Sequence, residues 1–457
     1  MIILLVGLQT SSWSYNTPTD WITIKQIYVS GNKKTKESII LRELTLHQGM
    51  QLPLNSLAGH LEQSRKQLLN TELFTEVNIV SDFNHNIFVH ITEDWYIIPY
   101  PIFRVADRNL NSWWELRAWD RMEWGIDLKW KNFSGRTDRL DILFTGGYTQ
   151  NLGVSYEIPF ADSNQHWGLG IGMLHSANRE VWAYPQNDQL QFVSAPDNRI
   201  LIRRTQVQGR LSYRKGNFDK HFWDVSYQNT RVDDTLTNPE INPGFLVENQ
   251  NSMHVSTLSY TAIWDKRDFR GYAFEGYFLK SILQYEGYFS QQQPLHNARI
   301  QAHAQYFSKL HKKCYASAGF TGMFNSSARL PYEHFRALGY HNTFVRGYEY
   351  YVIDGKDMAL LRTNLKYALL KDYSSQIQYL PKAFKKMNSS LMLGPFYDIG
   401  YVHSPFVYAQ NSLPNRFIAG YGVGLDWIAY YHYVLRIEYS FNALNERGLF
   451  FHLYAPL

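Results

Sequence analysis

The sequence predicts a membrane β-barrel of about 16 antiparallel strands, preceded by one small α+β domain of order β-α-α-β-β. Four observations predict it. From about Arg104 onward, apolar and polar residues alternate with period two over many short segments. Aromatic residues make up 16% of the chain, led by 33 Tyr. Yet mean hydropathy is −0.37, and no stretch holds the ~18 consecutive apolar residues that a spanning helix needs. Finally, short and long connections take turns between the segments, as they do in bacterial barrels.

The chain of 457 residues accommodates a small domain plus a large barrel. Its net charge of +5 is scattered, with no basic stripe, so no nucleic-acid partner is expected. Lys312-Lys313 and Lys385-Lys386 read as solvated turns. Cys314 is the only cysteine, which excludes an intrachain disulfide and a thiolate metal cluster. Met1–Leu8 is apolar and small polar residues follow through Ser14. This reads as the core of an export signal lacking its basic start, so residues 1–20 are expected to be a signal remnant or a disordered N-terminus.

Residues 21–95 form the small domain. Ile22 and Ile24, then Ile27 and Val29, alternate as a strand with a phase change near Gln26. Gly31-Asn32 turns the chain, Thr35 reads as an N-cap, and Ile39, Ile40 and Leu44 mark the buried side of a first helix that Gly49 ends. A second helix follows Pro53, with Leu54, Leu57, Leu61 and Leu68 near the 3.6 period. Val77 and Ile79, then Ile87, Val89 and Ile91, alternate as two further strands. Residues 96–108 read as a linker.

Residues 109–457 carry the barrel pattern. Ile126, Leu128 and Trp130 alternate with Asp127, Lys129 and Lys131. Tyr433, Leu435, Ile437, Tyr439 and Phe441 alternate with Val434, Arg436, Glu438 and Ser440. In a soluble sandwich the apolar face meets a second sheet; in a barrel it meets lipid and the polar face meets a wet lumen. Trp113-Trp114, Trp119, Trp124, Trp130 and Tyr430-Tyr431 cluster near strand ends, where amphipathic rings suit the headgroup level. Short turns are expected near Phe133–Arg136, Pro159–Gln165, Gly216–Asp219, Asp268–Glu275 and His311–Lys313. Long loops are expected near Asn178–Arg199, Asp233–Asn251, Asn325–Asp357 and His403–Arg416. Lys371–Ser390 breaks the rule as a long connection at the short end. The first strand is expected within Asn109–Asp120 and the last over Gly448–Leu457.

These residues resemble a known family, the outer-membrane assembly factors built from POTRA domains and a barrel, which include BamA and TamA. In the small domain the resemblance rests on Ile27–Asn32 (IYVSGN), Thr35, Gly49 and Leu73–Ile79 (LFTEVNI), which are similar to one POTRA module. In the barrel, Val345-Arg346-Gly347-Tyr348 resembles the loop-six motif. Phe396-Tyr397-Asp398-Ile399-Gly400 resembles the F-x-D-x-G strand motif, and Tyr421–Leu425, with Gly422 and Gly424, the glycine strand after it. Asp265, Arg267 and Asp268, with Gly271, resemble the D-x-R-D turn. V-R-G-Y alone is a weak signal; followed about 50 residues later by F-x-D-x-G, behind a POTRA-like domain, it is a strong one.

Arg346 carries a permanent charge and a rigid fork of donors, so inside a barrel it needs a well-placed carboxylate. Asp398 is the expected partner. Phe396, Asp398 and Gly400 share one parity and are expected to face the lumen, with Tyr397 and Ile399 facing lipid. Gly400 leaves room for the loop, Gly347 lets it turn, and Tyr348 packs its tip.

The resemblance implies a factor that inserts or translocates polypeptides at the outer membrane, with the POTRA domain in the periplasm. It implies unfolded outer-membrane client polypeptides and the lipid bilayer as partners, with periplasmic lipoproteins or chaperones docking at the POTRA domain. The rival reading is a dedicated secretion translocator or a passive pore. An enzyme is not expected: no G-x-S-x-G or H-E-x-x-H occurs, the 16 His are scattered, and neither cofactor nor metal-ligand spacing is read.

Overall fold

A computed structural model describes residues 20–105 and 122–454, apart from 163, 165, 196, 198, 215, 217, 239–241, 243, 247–249, 288–294, 329, 341, 377–385, 406–409 and 430–432. The apolar start of the chain, the segment 109–120, Tyr430-Tyr431 and Pro456 lie outside the described residues. The chain divides after Glu93 into two compact units.

The first unit runs β1 (Trp21–Thr23), β2 (Ile27–Ser30), α1 (Glu37–Glu43), β3 (Gln51–Pro53), α2 (Leu54–Leu69), β4 (Phe74–Ser81) and β5 (Ile87–Glu93). β2, β5 and β4 form a sheet in that order, β2 parallel and β4 antiparallel to β5. The break near Gln26 frees β1 to pair with β3. Ile39 and Ile40 of α1 and Leu57 and Leu68 of α2 are buried, as are Val77, Ile87, Val89 and Ile91 of the sheet. Leu54, at the first turn of α2, points outward instead and is 46% exposed. Thr35 is not the cap of α1. Lys36 takes that position without a side-chain cap bond, and Thr35 is buried with its N–H on Glu93 Oε1 at 2.7 Å. Lys34 N–H donates to the same carboxylate at 3.1 Å. Burial opposes the charge of Glu93, but these backbone donors hold its carboxyl below the ordinary range.

The second unit is a 16-stranded antiparallel barrel. Its strands are β6 (Ile97–Val105), β7 (Met122–Lys131), β8 (Arg139–Gly147), β9 (Thr149–Ile158), β10 (Trp167–Asn178), β13 (Ile202–Tyr213), β14 (Asp219–Val232) and β15 (Ser252–Asp265). They continue with β16 (Gly276–Glu286), β17 (Asn297–His311), β18 (Cys314–Asn325), β21 (Asp357–Gln376), β22 (Lys386–His403), β23 (Phe417–Ala429), β24 (Tyr433–Asn442) and β25 (Arg447–Tyr454). Each bonds its neighbours in chain order, and β6 and β25 are the two ends of the ladder. Outward residues form an apolar band: Leu152, Ile171, Phe451 and Leu453 are each more than 60% exposed. A water-soluble sandwich would bury such a band against a second sheet; here it is the lipid face.

Two expectations about the barrel are corrected. The segment 96–108 is not a linker, because Ile97–Val105 is the first strand, paired with β7 over nine residues from Ile97↔Trp130 to Val105↔Met122. Pro99 and Pro101 lie within this strand, and an edge strand tolerates proline wherever the missing N–H faces away from its partner. That is the geometry here. Lys131 N–H donates to Tyr96 O at 2.8 Å, so the even-numbered residues of this strand bond to β7. The odd-numbered ones, Pro99 and Pro101 among them, turn their backbone groups to the free edge. Much of Lys371–Ser390 is likewise strand: β21 runs 20 residues, to Gln376, and β22 begins at Lys386.

The long connections carry structure of their own. β11 (Glu180–Gln186) and β12 (Gln189–Ser194) make a hairpin between the fifth and sixth strands of the barrel. Asn187 and Asp188, both at positive φ, form its two-residue tip. The tip meets the loop between β22 and β23, the thirteenth and fourteenth strands, on the opposite wall. Asp188 accepts from Ser412 N at 2.9 Å, Ser412 Oγ at 3.0 Å and Leu413 N at 3.1 Å. Its N–H donates to Asn411 Oδ1 at 2.8 Å, and its carbonyl accepts from Val352 N of the loop before β21 at 2.8 Å. Beside it Val181, Leu201, Phe245, Leu246, Leu330 and Tyr332 share an apolar core. These loops are knitted into a lid across one mouth of the barrel.

Candidate functional site inside the barrel

The loop between β18 and β21 leaves the wall at Asn325, folds inward and returns at Asp357. Two short strands, β19 (Arg336–Leu338) and β20 (Ile353–Asp354), brace its base. Between them Gly347 takes φ +92, a turn that glycine allows at no steric cost. Val345 and Tyr348 are almost wholly buried, and Ala443 N–H donates to the Tyr348 hydroxyl at 3.2 Å. Asn442 Nδ2 of β24 donates to Gly347 O at 2.8 Å.

This folding brings Arg346 to β22. Its Nε donates to Asp398 Oδ2 at 2.8 Å, its Nη2 donates to Asp398 Oδ1, and its backbone N–H donates to Oδ2 at 3.1 Å. Nη1 donates to Asn364 Oδ1 of β21 at 2.7 Å and to Glu438 Oε1 of β24 at 3.2 Å; Nη2 also donates to Thr363 O at 3.2 Å. Every N–H of the guanidinium therefore has an acceptor, which a buried arginine requires. Side-chain exposure is 4% for Arg346 and 0% for Asp398. The guanidinium also lies over the Phe396 ring, 3.9 Å from its centroid.

Strand parity explains how the wall supports this. Phe396, Asp398 and Gly400 are buried inside, while Tyr397 is 46% exposed on the outer face. At Gly400 a Cβ would sit 2.6 Å from Val345 Cγ2, so only glycine admits the loop there. At Gly422 a Cβ would meet the Phe396 ring at 2.8 Å; its absence lets that ring lie flat under Arg346. Gly424 borders Lys366, whose Nζ is 3.4 Å from Gly424 O and 3.3 Å from Asp426 Oδ2. Asp426 also accepts from Arg436 Nε at 2.7 Å and from the Tyr272 hydroxyl at 2.7 Å.

Asp265, Arg267 and Asp268 lie elsewhere, in the turn after β15 at the short-connection end. Arg267 grips Asp265 in a two-pronged pair, with Nε–Oδ1 and Nη2–Oδ2 both 2.8 Å. Asp268 Oδ1 accepts from the N–H groups of Phe269, Phe274 and Glu275, closing the turn. Tyr272, in the same turn, links it through Asp426 to the lumen network.

Sequence reading missed three parts of the site. Glu438 and Asn364 share Arg346, and the polar parity of Arg436-x-Glu438-x-Ser440 was the available signal for the first. Gly420 is the tightest contact of the loop: a Cβ there would lie 1.7 Å from Arg346 O. It precedes Gly422 and Gly424 at the same parity, which was its signal.

Comparison with known proteins now bears on this geometry. The Omp85 superfamily domain matches residues 132–447. The chain belongs to the Omp85 superfamily. A second match, to the surface antigen variable number repeat or POTRA domain, covers residues 22–94. Among solved structures, BamA from Haemophilus ducreyi lacking POTRA domains 1–3 is 12% identical, covers 95% of this chain and 84% of that one, and gives a TM-score of 0.55. CdiB from Acinetobacter baumannii is 11% identical over 94% of this chain and 73% of its own, with a TM-score of 0.51. CdiB from Escherichia coli is 11% identical over 97% and 91%, also at 0.51. At such identities these likenesses show the fold. Comparison with curated proteins gave no match. As an Omp85 protein the chain has a POTRA domain followed by an outer-membrane-type barrel, with the VRGY loop inside it.

Proposed function

We propose that this protein inserts polypeptides into the outer membrane, or passes them across it, through the seam between β6 and β25. Its POTRA domain would stand in the periplasm and receive unfolded clients at the free edge of β2, with lipoproteins or chaperones docking on the same domain. The Arg346–Asp398 clasp would hold loop six against the wall beside that seam. The observation that carries this reading is the free edge of β6. No ladder pair joins β6 to β25 among the described residues. Along that edge Pro99 and Pro101 remove two of the N–H groups that a closing ladder would use. Unpaired backbone groups are costly in lipid, so a donor-poor seam is a weak seam that can exchange its partner for an incoming strand.

The knitted lid weighs against a passive pore, because a hairpin anchored on the opposite wall closes the mouth. The rival reading is a dedicated translocator for one secreted partner, which would pass its client across the membrane without folding barrel clients.

The test restores the donors. In Pro99→Val/Pro101→Val, β6 can close its ladder, and the barrel should still show its folded mobility on unheated gels. Client-barrel folding in liposomes containing the variant is expected to slow several-fold. Client folding at the native rate, with the barrel intact, would show that the seam does not open.

A further inference from the structure

We infer that loop six carries a zinc-type divalent-cation site formed by Glu349, Glu438 and His452, which ties the inward loop to the last strand. The three residues come from three elements: the loop tip, β24 and β25. Their spacing in the sequence, 349, 438 and 452, has no metal-motif character, and only folding brings them together. Each of the three offers one ligand atom, a carboxylate oxygen or a ring nitrogen, and these atoms lie within 4.8 Å of one another. His452 Nε2 is 3.4 Å from Glu438 Oε2 and 3.9 Å from Glu349 Oε1. Ligand atoms about 2.1 Å from a tetrahedral zinc stand about 3.4 Å apart, so of the three pairs His452–Glu438 already has that separation, His452–Glu349 closes by half an ångström, and Glu349–Glu438 starts within 4.8 Å.

A second observation points to a cation. Each carboxylate has one oxygen held by a protein donor and the other aimed at the common centre. Glu349 Oε2 accepts from Gly347 N at 2.8 Å, and Glu438 Oε1 accepts from Arg346 Nη1. Glu349 Oε1 and Glu438 Oε2 are buried and accept no well-formed hydrogen bond; His452 Nε2 approaches Glu438 Oε2 to 3.4 Å, and the Glu438 side chain is 1% exposed. Two buried carboxylate oxygens without well-placed donors, converging on one point, are costly unless positive charge sits between them. Donors on the outer oxygens are what fixes first-ligand orientation in metal sites. Phe344 stacks on the His452 ring, 5.6 Å between centroids, and holds it in place. One imidazole and two carboxylates suit zinc; calcium takes six to eight oxygens, more than this corner offers. A metal here would staple loop six to β25.

The test uses the full chain in detergent micelles, stripped with chelator and then dialysed against Zn²⁺. One tightly held zinc per chain is expected by elemental analysis, with affinity lowered at least tenfold in Glu349→Gln and in His452→Gln. Co²⁺ in the same site should give the strong visible absorption of four-coordination. Folded mobility on unheated gels checks each variant. In the native chain, Zn²⁺ should also protect His452 from diethyl pyrocarbonate, read by mass spectrometry, whatever the variants do. Absence of stoichiometric zinc, native affinity in both folded variants, or unprotected His452 overturns the site. A cluster held instead by a proton shared with His452 gives the first of these results.

Discussion

Replacing Asp398 with Asn keeps the shape of the side chain and removes its charge. In the native protein Asp398 accepts from Arg346 Nε, Nη2 and backbone N–H. An amide presents an NH₂ where one oxygen was. If it takes the Oδ1 place, Nη2 loses one of its two acceptors and keeps Thr363 O; if it takes the Oδ2 place, Nε and the backbone N–H both lose theirs. Each hydrogen bond to a charged group is worth about 1.5–3 kcal/mol, and breaking a buried pair from one side costs about 3–5 kcal/mol. Glu438 and Asn364 still hold Nη1, so the lower half of that range is the expectation, about 3–4 kcal/mol. Urea unfolding in detergent, followed by Trp emission, reads the loss. A second assay reads the loop itself. Trypsin cuts after arginine, and Arg346 is 3% exposed, so the native loop resists. Asp398→Asn should release a new fragment cut at Arg346. A variant within about 1 kcal/mol of native, with no new cut, would refute the argument that this carboxylate holds the loop. A charge swap is a blunter tool, since Glu438 also faces residue 346.

Other outcomes follow from the same geometry. Gly420→Ala puts a Cβ 1.7 Å from Arg346 O and is expected to cost at least 2 kcal/mol and to expose the same tryptic site. Gly209→Ala, with nothing within 4 Å, should stay within about 0.5 kcal/mol. Asp188→Ala removes the acceptors for Ser412 and Leu413 at the hairpin tip; the native barrel should conduct weakly in planar bilayers, and the variant should show frequent large openings. In the POTRA domain the carboxyl of Glu93 is held below its ordinary value in the fold, so its contribution is fully present above about pH 4.3 and fades as pH falls through the folded value. Hydrogen-exchange protection of the Lys34 and Thr35 amides, corrected for intrinsic rate, should drop over that acid range and be low at all pH in Glu93→Gln.

How much was legible follows from the range of each interaction. The period-two alternation of β24 and the parity of Phe396, Asp398 and Gly400 are properties of an extended chain, so they stand in the sequence before any folding. So do the residue types that a buried arginine or a close backbone approach demands. What a line of residues does not carry is pairing across the lumen. Asp426 with Tyr272, Asp188 with Ser412, and Glu438 as second acceptor for Arg346 are brought together by barrel closure from positions 92 to 224 residues apart. The first strand was misread for a related reason. Proline opposes a paired strand, and only the register against β7, with its hydrogen bonds on even-numbered residues, reveals that Pro99 and Pro101 turn away from β7, so that pairing with β7 needs no N–H from either. Local alternation chose barrel strands over helices because a period of two gives an extended chain one lipid face and one wet face, which the 3.6-residue period of a helix does not; the curved sheet then selected which charges would meet, because its register presents each inward side chain to one region of the interior.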